Sequence, residues 1–174
     1  DRVAREIFLP LFPQIACEAL EIYGKKEGWC LDVGCGGGLF AYFVALLSDM
    51  SIHFVDMQED AIEICRKRGY DWGLDERCKY TVSDARFMTM IPSDTYPLVI
   101  SRGSIPFWGD DVQTAAGLKE IYRVMAPGGI AMVGGSLGKG SVREAIFRRM
   151  EELNGKPWVP PSTHGEDPLP VYEH

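Results

Sequence analysis

Four glycines within five residues separate an apolar segment from an amphipathic one. Residues 29–33 predict a short buried strand, and apolar residues recur at helical spacing from Leu39 onward. Glycine lets the backbone turn tightly and approach a ligand without interference from a Cβ atom. A helix N-terminus offers unpaired N–H groups and a partial positive charge, which suit a carboxylate or a phosphate. The pattern therefore predicts a strand, a ligand-binding turn and the start of a helix.

The spacing of the glycines favours one class of ligand. A dinucleotide-binding turn has the pattern G-x-G-x-x-G, and its third glycine, counted from Gly34, would fall on Leu39. The glycines fall instead at Gly34, Gly36 and Gly38, and Asp32 precedes them. This D-x-G-x-G-x-G pattern resembles the first motif of class I S-adenosylmethionine (SAM)-dependent methyltransferases. For this motif alone, a tight turn that binds no ligand is the alternative.

The resemblance implies a role for each residue of the motif. Asp32 would pair with the ammonium of the methionine moiety. Gly34, Cys35, Gly36 and Gly38 would pass beneath the methionine backbone and the ribose. The cofactor would be SAM, and the product S-adenosylhomocysteine (SAH).

Asp56 ends a second predicted strand, residues 51–56, and lies 24 residues after Asp32. That spacing is typical of the carboxylate that accepts hydrogen bonds from ribose hydroxyls in βαβ nucleotide sites. Met57 is then placed to lie against an adenine face. Because a helix is predicted from residue 58, Asp56 has an alternative role as the N-cap of that helix.

Asp84 lies in the exit of a third predicted strand, which begins at Lys79 and reaches Ala85. The resemblance implies that the Asp84 carboxylate accepts from the adenine amino group and that the backbone N–H of Ala85 meets the ring. Taken alone, Asp84 is also explained as a capping residue in a surface turn. Three acids at three successive strand ends are harder to explain in that way, so we favour a nucleoside site.

A fourth predicted strand, residues 98–101, ends at Ser101, which the resemblance includes among the cofactor-binding residues. In the family, the loop after this strand borders both the methyl end of the cofactor and the substrate. Residues 102–110 contain neither the N/D-P-P-Y motif of enzymes that methylate the amino groups of adenine or glutamine nor the Pro-Cys nucleophile of cytosine-C5 enzymes.

The same loop holds the candidates for substrate contacts. Phe107 and Trp108 either form the wall of an apolar substrate pocket or pack against the next helix, and Arg102 either binds an anionic substrate or pairs with a nearby acid. No residue is identified as a catalytic base, because methyl transfer needs one only when the acceptor must lose a proton. Ser104, Trp108 and Asp110 are the positions at which we would look for one.

The other elements follow from periodicity and from Pro and Gly signals. They are a helical segment over 2–23 that two prolines kink or divide, a helix over 58–68 that Gly69 ends, a helix capped by Asp110 and Asp111 that reaches residue 125, a turn over 126–129, a strand over 130–135 and a helix over 141–153. The helix over 58–68 is expected to bury Ala61, Ile62, Ile64 and Cys65, and the helix that reaches residue 125 to bury Val112, Ala115, Leu118, Tyr122 and Met125.

The predicted fold class is α/β: a Rossmann-like, doubly wound, mostly parallel sheet flanked by helices. The chain of 174 residues is expected to form one SAM-binding domain. It divides into an N-terminal helical cap (1–24), a Rossmann-like core (25–153) and a loop-rich tail (154–174). The family usually closes its sheet with two more strands, for which the sequence ends too early, so the C-terminal strands are expected to be incomplete.

Composition narrows the possible partners. The net charge of −7 disfavours a nucleic-acid substrate, and the longest apolar run, residues 39–47, is too short to span a bilayer. The five cysteines include no C-x-x-C pair, so we expect neither a disulfide framework nor a metal site, and we expect a reducing cytoplasm.

These observations lead to the hypothesis of an enzyme that transfers a methyl group from SAM to a small-molecule acceptor, most similar to the type-11 methyltransferase group. The alternative is a SAM- or SAH-binding module or partner subunit without catalysis. A nicotinamide-dependent dehydrogenase is disfavoured by Leu39. The oligomeric state is left open.

Overall fold

The computed structural model of the protein describes residues 9–105 and 111–134, and five strands within them form one parallel sheet. The strands are β1 (Trp29–Val33), β2 (Ser51–Asp56), β3 (Cys78–Val82), β4 (Tyr96–Arg102) and β5 (Met125–Gly134). Their order is β3-β2-β1-β4-β5, and every neighbouring pair is parallel. The direction of winding reverses between β1 and β4, and ligands bind at the carboxyl ends of strands at such a point. The predicted fold class is confirmed.

Helices cover both faces of the sheet. They are α1 (Leu9–Tyr23), α2 (Leu39–Leu46), α3 (Glu59–Asp71) and α4 (Asp111–Val124). Alternate residues of a strand point to opposite faces, so Cys30 packs in the cluster with α1, α2 and α3, whereas Leu31 packs in the cluster with α4. Each face of the sheet therefore has its own apolar core.

The first two strands have the predicted bounds. The third strand, Cys78–Val82, ends before Asp84, so that this acid lies in the loop beyond it. The predicted turn over 126–129 lies inside β5. The register with β4 shifts between Tyr96 and Leu98, which pair with Met125 and Ile130, and Gly128 has a φ of 73°. Residues 126–129 therefore form an irregular, bulge-like segment within β5.

The N-terminal helix is continuous from residue 9, with Pro13 inside it. Pro10 lies in its first turn, where backbone N–H groups have no partner within the helix, so a proline there removes no hydrogen bond. The helix ends at Tyr23, and Gly24 follows with a φ of 72°. The predicted division into two helical pieces is therefore not observed over residues 9–23, and the alternative of one helix with a proline inside it agrees with α1.

The third helix is longer than predicted, because Gly69 does not end it. Gly69 is buried, and a Cβ atom there would lie 2.2 Å from the hydroxyl oxygen of Tyr80 and 2.7 Å from that of Tyr42. The lack of a side chain at Gly69 therefore allows α3 to pack closely against Tyr42 and Tyr80. The helix continues to Asp71. Ile64, predicted to be buried, is 51% exposed.

The buried face of α4 differs from the prediction. Val112 and Tyr122 are 79% and 76% exposed, whereas Ile121 and Val124 are 2% and 0% exposed. Ile121 and Val124 pack in the cluster that contains Leu31. The helix is thus rotated relative to the apolar stripe read from the sequence.

Several predictions fall outside the described residues: the helix over 141–153, the tail over 154–174, and the side chains of Phe107, Trp108 and Asp110. Over residues 9–105 and 111–134, the structure has no helix that combines the length and the apolar character needed to cross a membrane.

Candidate functional site

The parallel sheet brings the predicted site residues to one edge. The glycine turn follows β1, Asp56 ends β2, Asp84 follows β3, and Ser101 is the penultimate residue of β4. Because the strands are parallel, all of these positions lie at the carboxyl end of the sheet. The structure therefore places acids that are 24 to 52 residues apart in the sequence along the same edge.

The turn between β1 and α2 is shaped by backbone hydrogen bonds and by positive φ angles. The N–H groups of Gly34 and Cys35 donate to the Val55 carbonyl over 2.8 and 3.0 Å, and the Gly38 N–H donates to the Cys35 carbonyl over 2.8 Å. Gly34, Gly36 and Gly38 have φ angles of 69°, 51° and 68°. Non-glycine residues rarely adopt this conformation.

Two of these glycines are also required by close neighbours. A Cβ atom on Gly34 would lie 2.3 Å from the Cβ of Ser104. A Cβ atom on Gly38 would lie 2.7 Å from both the Cys65 sulfur and the Phe54 ring. The motif read from the sequence thus has a steric cause: α3, β2 and the loop after β4 all press against the turn.

Asp32 is the most unusual group at the site. It is 4% exposed, and within residues 9–105 and 111–134 its carboxylate has no hydrogen bond or ion pair. Burial, and then the nearby charge of Asp56, raise the pKa of Asp32 from 3.8 to about 8. A buried carboxylate without a partner is destabilised when ionised. The arrangement therefore favours a cationic group of a ligand beside Asp32, as the SAM ammonium would supply.

The Asp56 carboxylate joins the glycine turn to the end of β2. Its Oδ2 accepts from the Gly36 N–H over 2.8 Å, and its Oδ1 accepts from the Gln58 N–H over 2.9 Å. The N-cap of α3 is Gln58, so the alternative N-cap role of Asp56 is not what the structure shows. Met57 follows at the same edge and is 40% exposed.

Asp84 lies in the turn after β3 and pairs with a residue that the sequence analysis did not identify. Arg86 donates to the Asp84 carboxylate from its backbone N–H over 2.8 Å and from its guanidinium. Ala85 is 7% exposed and packs in the apolar cluster beneath. The spacing of an arginine two residues after the acid was a signal that could have indicated this pair.

Ser101 and Ser104 bind the end of β1. Their hydroxyls lie 2.8 and 3.0 Å from the Val33 carbonyl oxygen and 2.7 Å from each other. The Ser101 side chain therefore points toward the end of β1, and Ser101 is only 1% exposed.

Cys35 places its sulfur 3.8 Å from the sulfur of Cys65 on α3, beneath the turn. All five cysteines are free thiols. The hydrogen bond with Cys65, and then burial, raise the pKa of Cys35. Arg68 on α3 donates to the Gly37 carbonyl and so supports the turn. Within the described part of the chain, no group of His, Cys, Asp and Glu side chains has a metal-binding arrangement.

A cleft of about 180 Å³ lies between α1 and the carboxyl ends of β4 and β5. Apolar side chains line much of it, including Ile15, Phe40 and Met132, and the charged side chains of Arg102 and Glu18 border it. Within the described ranges, Arg102 forms no ion pair.

The sequence profile of the family described as "Methyltransferase domain" matches residues 30–129. A solved structure from Methanococcus maripaludis, assigned as a SAM-dependent methyltransferase, shares 32% identity and a TM-score of 0.75. This similarity covers 89% of the present chain and 69% of that protein.

Two further structures show the shared fold. Phosphoethanolamine N-methyltransferase 2 of Haemonchus contortus, solved with phosphomonomethylethanolamine and SAH, has 24% identity and a TM-score of 0.61 over 82% of this chain and 33% of its own. The [4+2]-cyclase SpnF has 23% identity and a TM-score of 0.65 over 73% of this chain and 46% of its own.

The chain thus spans half or less of the length of these last two proteins. No curated protein matches the sequence. The profile match covers more than half of the chain, and it includes the glycine turn and all three acids. The chain therefore belongs to the methyltransferase domain family and has the class I fold of the SAM-dependent methyltransferases.

Proposed function

We propose that this protein binds SAM at the carboxyl edge of the sheet and transfers its methyl group to a small-molecule acceptor. The observation that carries the proposal is the buried, unpartnered carboxylate of Asp32 beside a turn without side chains at Gly34, Gly36 and Gly38. The ammonium of SAM would supply the missing positive charge. A pyrophosphate, as in a dinucleotide, would add negative charge at the same place, which would oppose ionisation of Asp32 and repel its carboxylate once ionised.

The other acids would hold the nucleoside. Asp56 is anchored by backbone N–H groups on both oxygens, and a carboxylate has about four acceptor sites, so it can also accept from the ribose hydroxyls. Met57 is exposed enough to lie against the adenine ring. Asp84 and the backbone of Ala85 would meet the amino group and the edge of the ring.

SAM supplies an electrophilic methyl group on its sulfonium. The protein would therefore act mainly by alignment of the acceptor atom with the methyl carbon and the sulfur. Ser104 is a poor candidate for a base, because its hydroxyl is engaged with Val33 and Ser101. The proposed reaction thus needs no base from residues 9–105 or 111–134 when the acceptor is already a free nucleophile.

The cleft beside β4 and β5 is the candidate site for the acceptor. Its lining of apolar side chains with a few polar groups is typical of small-molecule sites. Arg102 at its border would favour an acceptor with an anionic group, and Phe40 and Met132 would contact an apolar part.

The free thiols are consistent with our further expectation that the protein works in a reducing cytoplasm.

A SAM- or SAH-binding module without methyl transfer is the second candidate. It is favoured by the fold shared with a structure named as a [4+2]-cyclase. Incubation of the protein with methyl-labelled SAM and a panel of small amines, carboxylates, phenols and thiols distinguishes the two. Transfer of label to any acceptor supports the enzyme, whereas SAH binding without transfer across the panel favours the module.

A further inference from the structure

The carboxylate of Asp84 is held in place by three donors from one residue. The Arg86 backbone N–H donates to Oδ1 over 2.8 Å, Nε donates over 2.9 and 3.0 Å to the two oxygens, and Nη2 donates to Oδ2. The side chains of Arg86 and Asp84 are only 22% and 28% exposed. A guanidinium that binds both oxygens fixes the orientation of a carboxylate as well as its charge.

Arg86 is itself fixed from the other side. Its Nη1 donates to Oε1 of Gln113 on α4 over 2.6 Å. The Arg86 side chain therefore connects the Asp84 carboxylate to α4, a helix whose buried face packs in the core.

The rest of the segment after β3 is held by the same helix. Glu120 on α4 accepts from the Met88 N–H over 2.8 Å. Arg123 donates to the carbonyls of Met88 and Ile91, each over 2.9 Å. A loop with no regular structure thus has a defined path because polar side chains of α4 bind its backbone.

We propose that Arg86 is a positioning residue for the adenine end of the site, and that it makes Asp84 selective for the 6-amino group of adenine. This inference rests on the proposed function, in which Asp84 accepts from that group. Without the Arg86 guanidinium, the Asp84 carboxylate would lose the donors Nε and Nη2, and ordering it on binding would weaken the ligand's affinity.

The pairing also suits the chemistry of the ligand. Adenine carries no net charge, so it cannot compensate a carboxylate that it covers, whereas Arg86 supplies the opposite charge in advance.

The test compares SAH with its purine-riboside analogue, which lacks only the 6-amino group. Calorimetry measures both affinities, and their ratio reports recognition of that group. We expect the wild type to prefer SAH by about tenfold to a hundredfold, as for a hydrogen bond to a charged acceptor. Asp84→Ala should remove the preference, and Arg86→Met should reduce it to about threefold or less.

A second variant and a control support the comparison. Arg86→Lys keeps the charge but loses the two-pronged contact, so an intermediate ratio is expected, and this variant gives the result if Arg86→Met does not fold. Arg66→Met removes an exposed arginine paired with Glu63 on α3, and its ratio should equal that of the wild type. Circular dichroism melting curves show that each variant is folded.

Each outcome has a separate meaning. If Arg86→Met and Arg86→Lys weaken SAH and the analogue equally, the ratio stays unchanged and the positioning role is wrong. If the wild type shows no preference, Asp84 does not read the amino group, and the inference fails while SAH binding stands. If the wild type does not bind SAH at all, the proposed function itself fails.

Discussion

At the scale of single residues, the pKa of Asp32 makes the proposed SAM site sensitive to pH. Its pKa, raised from 3.8 to about 8 by burial and then by Asp56, keeps it mostly protonated near neutral pH when no ligand is present. The folded state then binds more protons than the unfolded state between these two values. The contribution of Asp32 to stability therefore falls as pH rises from about 4 to about 8.

Ligand binding should reverse this protonation. A ligand ammonium stabilises the ionised carboxylate, so SAH should displace a proton when it binds near pH 7, and its affinity should rise between about pH 6 and about pH 8. Calorimetry at one pH in two buffers of different ionisation enthalpy measures the number of protons released. Asp60→Asn, which changes an exposed acid on α3, should leave that number unchanged. Binding without proton release in the wild type would contradict the role of Asp32.

The placement of Asp32 and Asp56 at the carboxyl ends of neighbouring strands could be predicted from sequence, because it depends on spacing along one βαβ unit. The contacts of Arg86 and Arg68 could not. Arg86 is fixed by Gln113, 27 residues away, and Arg68 donates to Gly37, 31 residues away. Such partners are set by how α3 and α4 pack, which local periodicity does not encode.

At the scale of elements, the turn between β1 and α2 should tolerate a methyl group at one glycine better than at another. Gly36 and Gly38 both have positive φ, but a Cβ atom would have open space at Gly36 and would overlap Cys65 and Phe54 at Gly38. Gly36→Ala should cost about 1–2 kcal/mol of unfolding free energy from backbone strain. Gly38→Ala should cost about 1–3 kcal/mol more from overpacking. Urea denaturation of both variants measures the difference, and equal losses would contradict the packing described.

The fourth helix shows why an apolar stripe can mislead. Val112, Leu118 and Tyr122 form a stripe at helical spacing, yet Ile121 and Val124 enter the core. The face that turns inward also carries Gln113, Glu120 and Arg123, whose partners are backbone and side-chain groups of the loop after β3. Hydrogen bonds to that loop therefore compete with apolar periodicity in setting the rotation of the helix.

This rotation predicts unequal effects of two neighbouring substitutions. Ile121→Ala removes a side chain that is 2% exposed and should lower the unfolding free energy by about 2–5 kcal/mol. Tyr122→Ala removes a larger side chain that is 76% exposed, so its loss should be within about 0.5 kcal/mol. Chemical denaturation gives both values. A larger loss of unfolding free energy for Tyr122→Ala than for Ile121→Ala would contradict this rotation and support the buried face predicted from the sequence.

At the scale of the whole molecule, parallel strands deliver separate acids to a single edge of the sheet. The sequence was sufficient to predict this architecture, since apolar runs that end in acids mark the strands and glycine marks the switch point. The sequence does not predict the methyl acceptor, because no motif in it identifies the nucleophile. Residues 106–110, which follow β4, lie outside the described part of the chain.

The central claim is that this edge holds an adenosyl amino acid and not a dinucleotide. Titration calorimetry of the 174-residue chain with SAH and, separately, with NAD tests it most directly. We expect saturable one-to-one binding of SAH and no binding of NAD at millimolar concentration. Binding of NAD with no binding of SAH would contradict the account.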